Sequence, residues 1–288
     1  MSASFEHGTG AGGLRTVTLR SDDGAVAEVY LHGAHVTAWC PASDGEPRLF
    51  LSGASGFADG VAIRGGIPVI FPQFALQGPL PRHGFARTRP WTLSSLDEVD
   101  GGAAVATFVQ DDDAETRAAW PHEFVLTLAV RVGGPELRVA LSVENAGKST
   151  FSFAAALHTY LRVRDIAAAE LVGLHGTGYR VSGHTGMTFD AEEALRFTAE
   201  IDRVYSKAAD RLLLRDTDRA MRIEKRNFPD VVVWNPGAAA SAAMADMEPD
   251  GYRRMLCVEA AAVTTPVILD PIRRWVGTQS LIATPLVT

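Results

Sequence analysis

Cysteine is scarce in this chain of 288 residues, which contains only Cys40 and Cys257. Two thiols so far apart in sequence do not make a disulfide framework, and no Cys-x-x-Cys or Cys/His spacing typical of a metal site is present. We therefore expect a cytoplasmic protein that uses neither a metal nor another cofactor.

Long apolar runs are also missing, and none approaches the roughly 18 residues that span a bilayer. Residues 1–13 are rich in Gly, Ser and Thr and have no apolar segment of a signal peptide, so we expect residues 1–14 to form a flexible N-terminus. The net charge of −7 disfavours nucleic acid and membrane surfaces as partners. An anionic substrate would need a local cluster of arginines.

Nucleotide-binding loops are absent, since neither a GxxxxGK nor a strand-following GxGxxG pattern occurs. Helical patterns are few: we predict short helices over Asp112–Ala119 and Ala191–Phe197, and a surface loop over Pro236–Ala245. A parallel nucleotide-binding sheet is therefore not expected.

Strand patterns dominate the chain. Apolar residues alternate over 124–130 and 137–143, and the turn sequence Gly133-Gly134-Pro135 between them predicts a hairpin. Further strands are predicted over 15–20, 25–31, 34–40, 103–110, 151–163, 211–215, 219–225, 230–234, 254–260 and 279–286. We predict an all-β protein with a large antiparallel β-sandwich, formed as a single domain by residues 15–288, and expect a monomer.

Two arginine-containing segments are candidates for anion binding. Arg64 precedes Gly65-Gly66, which let the backbone approach a ligand closely, although an irregular connection with an exposed arginine would look the same. Arg82 and Arg87 bracket His83, and the planar guanidinium fork suits phosphate. The alternative is a basic loop with an ordinary histidine.

Two strands carry titratable candidates. In 151–163, one face holds Phe151, Phe153, Leu157 and Leu161, and the other holds Ser152, Ala154, Ala156, His158 and Tyr160. Small side chains before His158 leave room for a shallow pocket, where a histidine can transfer a proton, although a single strand histidine is more often structural. Glu259 ends an apolar strand; burial would make it a better base, unless it simply reaches solvent.

Two more residues are weaker candidates. Asp202 could accept hydrogen bonds from sugar hydroxyls or pair with Arg203 at the surface. Trp234 could stack on a sugar, although a strand tryptophan is usually part of the core.

Together these segments resemble the aldose 1-epimerase family, and more narrowly its hexose-6-phosphate mutarotase branch. The resemblance is carried by RGGIPVIFPQ at 64–73, LPRHGFAR at 80–87, LHTYLRV at 157–163, EIDRVY at 200–205, DVVVWNP at 230–236 and DGYRRMLCVE at 250–259. It covers nearly the whole chain from about residue 15.

The resemblance implies an antiparallel supersandwich with a concave sugar cleft and anomer interconversion of a phosphorylated hexose, above all glucose 6-phosphate. It implies His158 as general acid and Glu259 as general base. Asp202 would hold sugar hydroxyls and His83 would line the same site, and Arg64 and Arg87 would contact the anion and the sugar. Arg82 stands where the family often has Gln, so it either adds a phosphate contact or points away.

Three other functions fit parts of the pattern. A mutarotase of unphosphorylated aldoses would not need the arginines. A non-catalytic sugar-binding sandwich would need neither His158 nor Glu259. A lyase or hydrolase on a related sandwich is a third option, but hydrolases usually use two carboxylates, and only one well-placed carboxylate is evident.

Overall fold

The chain folds into three antiparallel sheets in a computed structural model that describes residues 2–181 and 184–285. In chain order the strands are β1 (Ser4–Thr9), β2 (Arg15–Arg20), β3 (Val26–Tyr30), β4 (His35–Cys40), β5 (Val69–Ile70), β6 (Thr92–Val99), β7 (Ala103–Asp111), β8 (Phe124–Gly133), β9 (Glu136–Asn145), β10 (Phe151–Leu157), β11 (Tyr160–Arg162), β12 (Glu170–Val172), β13 (Gly178–Val181), β14 (Thr188–Phe189), β15 (Ala194–Arg196), β16 (Ile201–Tyr205), β17 (Arg211–Asp216), β18 (Arg219–Arg226), β19 (Asp230–Asn235), β20 (Met255–Leu269) and β21 (Arg274–Thr284). The helices are α1 (Ala114–Ala119) and α2 (Gly237–Ala242), with short 3₁₀ turns at Ala11–Gly13, Ala86–Thr88, Ile166–Ala168 and Gly251–Arg254.

Two large sheets enclose the main core. The nine-stranded sheet has the order β15-β12-β17-β18-β21-β9-β8-β7-β6, and the eight-stranded sheet has the order β14-β13-β16-β19-β20-β10-β5, with β11 also paired to β20. Leu141 of the first sheet and Val258 of the second belong to one buried cluster, so the sheets pack face to face. A third sheet, β1-β2-β3-β4, adds Val17 and Trp39 to that core. The predicted all-β antiparallel sandwich is confirmed.

The β8–β9 hairpin forms in the predicted place, with Gly133 opposite Glu136 and Phe124 opposite Asn145. Its inward residues are buried at every second position, as the alternation indicated. The first predicted helix is present as α1, where Asp113 and Thr116 form a reciprocal capping box.

Several segments differ from the sequence predictions. Residues 191–197 contain strand β15 in place of a helix, because β12 pairs with it and buries Leu195. Residues 237–242, predicted as loop, form helix α2, as an alanine-rich stretch can. The strand predicted at 254–260 runs on to residue 269. Residues 4–9, expected to be flexible, pair with β2 through the backbone although their side chains are mostly exposed.

The predicted strand 151–163 is interrupted at His158 and Thr159, between β10 and β11. The Thr159 hydroxyl donates to Gln279 Oε1 at 2.5 Å, and Gln279 Nε2 donates to the Val258 carbonyl at 3.0 Å. These buried hydrogen bonds connect Thr159, through Gln279 of the nine-stranded sheet, to Val258 of β20. Strand 279–286 is observed as β21, and residue 286 lies outside the described residues.

A buried histidine makes stability depend on pH. His35 Nε2 donates to the Gly65 carbonyl at 2.8 Å, and burial lowers the pKa of His35 from 6.5 to about 3. In the unfolded chain His35 binds a proton as the pH falls below about 6.5, whereas in the folded protein it stays neutral down to about pH 3. Protonation therefore favours the unfolded state between these two values, and the free energy of unfolding decreases as the pH falls from 6.5 to 3.

We expect His35→Gln to reduce the acid dependence of the unfolding free energy between pH 6 and 4 by up to one proton, about 1.4 kcal/mol per pH unit. Urea unfolding at several pH values measures this slope. Val36→Ala, also a change to a buried residue of β4, is the control, since it lowers stability but keeps the titrating group. An unchanged slope in His35→Gln would contradict the assignment.

Candidate active site

Strand alternation decides which residues face the cleft. On β20, Val258 and Ala260 point into the main core, whereas Cys257 and Ala261 belong to separate clusters on the other face of the sheet. Glu259 lies between these two and shares their face. Both faces of β20 are buried over residues 255–263, which explains why this part of the strand is a nearly continuous apolar run.

The neighbouring strands deliver their side chains to the same face. Val232 of β19 is opposite Glu259, and Trp234 is opposite both Cys257 and Asp202 of β16. Because directly paired residues share a face, Asp202 and Trp234 join Glu259 on the cleft side.

These strands and two loops enclose a cavity of about 350 Å³. All seven sequence-predicted site residues line it: Arg64, Arg82, His83, Arg87, His158, Asp202 and Glu259. The structure adds four lining residues that the sequence analysis did not consider, Phe74, Ala75, Val232 and Met244, and it places the weaker candidate Trp234 in the same lining. Trp234 is half-buried at the cleft wall, so it is not simply a core residue.

His158 and Glu259 meet in the floor of this cleft. His158 Nδ1 lies 3.2 Å from Glu259 Oε1, and Glu259 is only 1% exposed. Burial places Glu259 among apolar and aromatic neighbours, so the solvent-reaching alternative is wrong. The 3.2 Å contact does not have the geometry of a hydrogen bond. Within the described part of the chain, His158 Nδ1 and Glu259 Oε2 therefore both lack a hydrogen-bond partner.

Burial shifts the two proton affinities in opposite directions. It raises the pKa of Glu259 well above its usual value, and repulsion from Asp202 adds to that shift. Burial also lowers the pKa of His158 well below its usual value, helped by His83 and by the charges of Arg87 and Arg64. As a carboxylate Glu259 is therefore a stronger base than usual, and as an imidazolium His158 is a stronger acid than usual.

Aromatic packing fixes the imidazole of His158. The Tyr160 ring stacks on it with centroids 4.8 Å apart and an interplanar angle of 9°, and the His83 ring meets it edge-on at 5.5 Å. The Tyr160 hydroxyl accepts a 2.9 Å bond from Arg64 Nη1. The alternation in 151–163 predicts Tyr160 on the same face as His158, but the sequence predicts no role for this tyrosine.

Close backbone contacts position Arg64. A Cβ on Gly66 would lie 2.2 Å from the Val36 carbonyl oxygen, and one on Gly65 would lie 2.4 Å from that of Phe50. Both positions also have positive φ, so side chains are excluded there and Arg64 is held at the cleft edge. Its Nε and Nη2 reach Asp246 Oδ2 at 3.1 and 2.9 Å.

The arginines of residues 80–87 lie at the rim of the cleft. Arg82 is exposed, and Arg87 is partly buried with Nη2 donating to the Arg82 carbonyl at 3.0 Å. Burial lowers the pKa of Arg87, as do the like charges of Arg64 and Arg82. Three positively charged side chains therefore line one small cavity, and a bound anion would reduce the repulsion between them.

A larger groove of about 520 Å³ lies elsewhere, against β9, β17, β18 and β21. Its acids and bases pair with one another, as the exposed Arg211 does with Glu224 and the buried Lys225 with the exposed Asp210. It holds no buried acid–base pair comparable to His158 and Glu259, so the smaller cleft is the better candidate.

Fold and cleft together define a mutarotase-like β-sandwich: antiparallel sheets with a histidine and a glutamate in the floor of a concave pocket. The crystal structure of a provisionally assigned mutarotase, YeaD, from Salmonella typhimurium is similar, with a TM-score of 0.86, 31% identity and coverage of 94% of this chain and 91% of that one. A galactose mutarotase-like protein from Clostridium acetobutylicum shares the fold, with a TM-score of 0.75 at 14% identity over 99% of each chain.

The chain belongs to the aldose 1-epimerase family, whose sequence profile matches residues 15–281. A protein of Cenchrus ciliaris provisionally named glucose-6-phosphate 1-epimerase is 36% identical over 283 residues, 95% of this chain and 86% of its own length. An Escherichia coli protein with the same provisional name is 40% identical over 245 residues, 82% of this chain and 79% of its own. The family makes the protein an isomerase that acts on a sugar.

The hydrogen bonds of His83 predict its protonation state. Its Nδ1 accepts a 3.2 Å bond from the Ala75 N–H, which leaves the proton on Nε2. Burial lowers the pKa of His83 to about 3, with further lowering by Arg87, Arg82 and Arg64. We expect long-range ¹H–¹⁵N spectra to show a neutral Nε2–H tautomer from pH 7 down to pH 5, with His83→Gln assigning the signal. An imidazolium or an Nδ1–H tautomer in that range would contradict this geometry.

Proposed function

We propose that this protein interconverts the α and β anomers of a hexose 6-phosphate, with glucose 6-phosphate as the substrate, without a metal or other cofactor. The observation that carries the proposal is the buried His158–Glu259 pair beside Arg82 and Arg87 in one cleft. The names of the relatives from Cenchrus ciliaris and Escherichia coli support the same substrate.

The proposed reaction needs one proton acceptor and one proton donor. Glu259 takes the proton of the C1 hydroxyl while His158 protonates the ring oxygen, so that the ring C1–O bond breaks and a C1 aldehyde forms. The C1–C2 bond rotates, and the ring oxygen attacks the other face of the aldehyde. The two residues then return their protons in exchanged roles, so nothing is consumed.

The rim residues would hold the substrate. Arg82 and Arg87 offer planar forks to the phosphoryl group, and Asp202 accepts hydrogen bonds from ring hydroxyls. The Nε2–H of His83 would donate to a sugar oxygen, and Trp234 offers an aromatic face. Arg64, which donates to the Tyr160 hydroxyl, would contact the sugar or its phosphate.

We also propose a cytoplasmic monomer with a single domain over residues 15–288 that binds neither nucleic acid nor membranes. One core cluster running from Val17 to Ala283 supports the single domain. Two free thiols support the cytoplasm, and a net charge of −7 disfavours nucleic acid and membrane surfaces as partners. Among the described residues, no helix is long and apolar enough to cross a membrane.

Removing either member of the proposed pair tests the chemistry. His158→Asn and Glu259→Gln should each slow anomer exchange of glucose 6-phosphate by about 10²-fold or more, because each removes one positioned proton-transfer group. Saturation-transfer NMR between the anomeric protons measures the rate. Glu144→Gln, which removes only an exposed ion pair with Arg274, is the control. Wild-type rates in both site variants would refute the roles, and a wild-type protein that binds sugar without exchange would favour a binding module.

Removing Arg87 tests the phosphate. Arg87→Ala should weaken phosphosugar binding by about 10- to 100-fold, because a charge-assisted hydrogen bond contributes about 1.5–3 kcal/mol. The expected signature is a large fall in kcat/KM on glucose 6-phosphate and a small one on glucose, with partial recovery in Arg87→Lys.

The matched control is Arg89→Ala, because Arg89 pairs with Asp113 and Glu115 away from the cleft and should leave both sugars unaffected. Equal losses on both sugars would place Arg87 against the pyranose ring. A wild-type preference for free glucose would refute the phosphate and favour a mutarotase of unphosphorylated aldoses.

A further inference from the structure

Asp246, which follows helix α2, forms an ion pair with Arg64 at the edge of the candidate site. Its Oδ2 accepts from Arg64 Nε at 3.1 Å and lies 2.9 Å from Nη2, while Nη1 of the same guanidinium donates to Tyr160. Three of the five N–H donors of Arg64 are therefore directed at protein partners. No pattern in the sequence indicates this role, because Asp246 is a single acidic residue directly after the small-residue segment 236–245 that was predicted as a surface loop.

The backbone around Asp246 holds it in place. The Glu248 N–H donates to the Ser52 hydroxyl at 3.0 Å, and Glu248 Oε2 accepts from the Gly53 N–H at 2.8 Å. On the other side, the Arg64 N–H donates to the Ser55 hydroxyl at 2.8 Å. Residues 52–55 thus form hydrogen bonds to Arg64 and to Glu248, two residues after Asp246, and these bonds fix the positions of both members of the ion pair.

This ion pair changes the charge of the cleft. Arg64, Arg82 and Arg87 all line the cavity, and Asp246 is the carboxylate paired with Arg64. The side chains of Arg64 and Asp246 are 22% and 37% exposed, so solvent weakens the pair without abolishing it. An anion that enters the cleft meets three arginines, and the guanidinium of one of them, Arg64, is already paired with Asp246.

We propose that Asp246 is a specificity-determining residue that sets the affinity of the cleft for anions: its carboxylate occupies Arg64, so a phosphoryl group must compete with it there and is held chiefly by Arg82 and Arg87. The inference rests on the proposed function in taking this cleft as the site of a phosphorylated sugar. Its consequence is moderate phosphate affinity, which lets the substrate leave and limits blockage by free phosphate.

Asp246→Asn tests this with inorganic phosphate as the probe. The amide keeps the shape of the side chain but removes its charge, so the Kd for phosphate measured by calorimetry at low salt should fall by about three- to tenfold. A purely structural role would give weaker binding, because a loosened site loses contacts. The gain should disappear when Arg64→Gln is combined with Asp246→Asn.

Asp250→Asn is the matched control, because it removes the same charge from the same segment without contacting Arg64. Asp250 has a positive φ of 57°, a conformation that asparagine also adopts. Asp246→Ser serves as a second variant if Asp246→Asn does not fold.

Phosphate binding that is unchanged or weaker in a folded Asp246 variant would overturn the inference, as would an equal gain in Asp250→Asn. Absence of phosphate binding in both wild type and the Asp246 variants would also overturn it. Tighter phosphate binding in Asp246→Asn, with a wild-type protein that does not exchange the anomers of glucose 6-phosphate, would support the role of Asp246 and refute only the proposed reaction.

Discussion

Burial of β20 on both faces is the constraint on which the rest of this structure depends. One face closes the main core against the nine-stranded sheet, and the other forms the floor of the cleft. A strand in that position accepts a glutamate only at a cost, since an ionised carboxylate loses its water. Glu259 is therefore a buried group with a raised pKa and with His158 in contact, and these are the properties that acid–base chemistry requires.

Charge is distributed unevenly between the surface and the cleft. The protein as a whole carries −7, yet Arg64, Arg82 and Arg87 converge on a cavity that also contains the Glu259 carboxyl and Asp202. The cations favour a charged carboxylate, whereas burial and Asp202 oppose it. Asp246 belongs to the same balance because it neutralises part of one wall, so the proton affinity of the pair and the affinity for anions are linked through the same few charges.

Strong local patterns were predicted well. The alternation in 124–143 and its glycine turn were sufficient for the β8–β9 hairpin, and Asp113 capped α1 as its residue type allows. Weak local patterns were decided by neighbours. Residues 194–196 have ordinary helix formers but pair with β12, and residues 4–9 lack an apolar alternation yet complete a sheet through their backbone.

The sequence alone determined the fold class, the family resemblance and seven candidate residues that the structure places in the lining of the cleft, because each of those residues lies in a short segment whose pattern is local. The tertiary structure decided which groups meet. His158 contacts Glu259 only because the strands before and after it, β10 and β11, both pair with β20. Arg64 pairs with Asp246 although the two residues are 182 positions apart in the sequence. Local sequence sets the direction in which a side chain points along its own strand. The distance between two side chains is set by the packing of strands and loops that are remote in sequence.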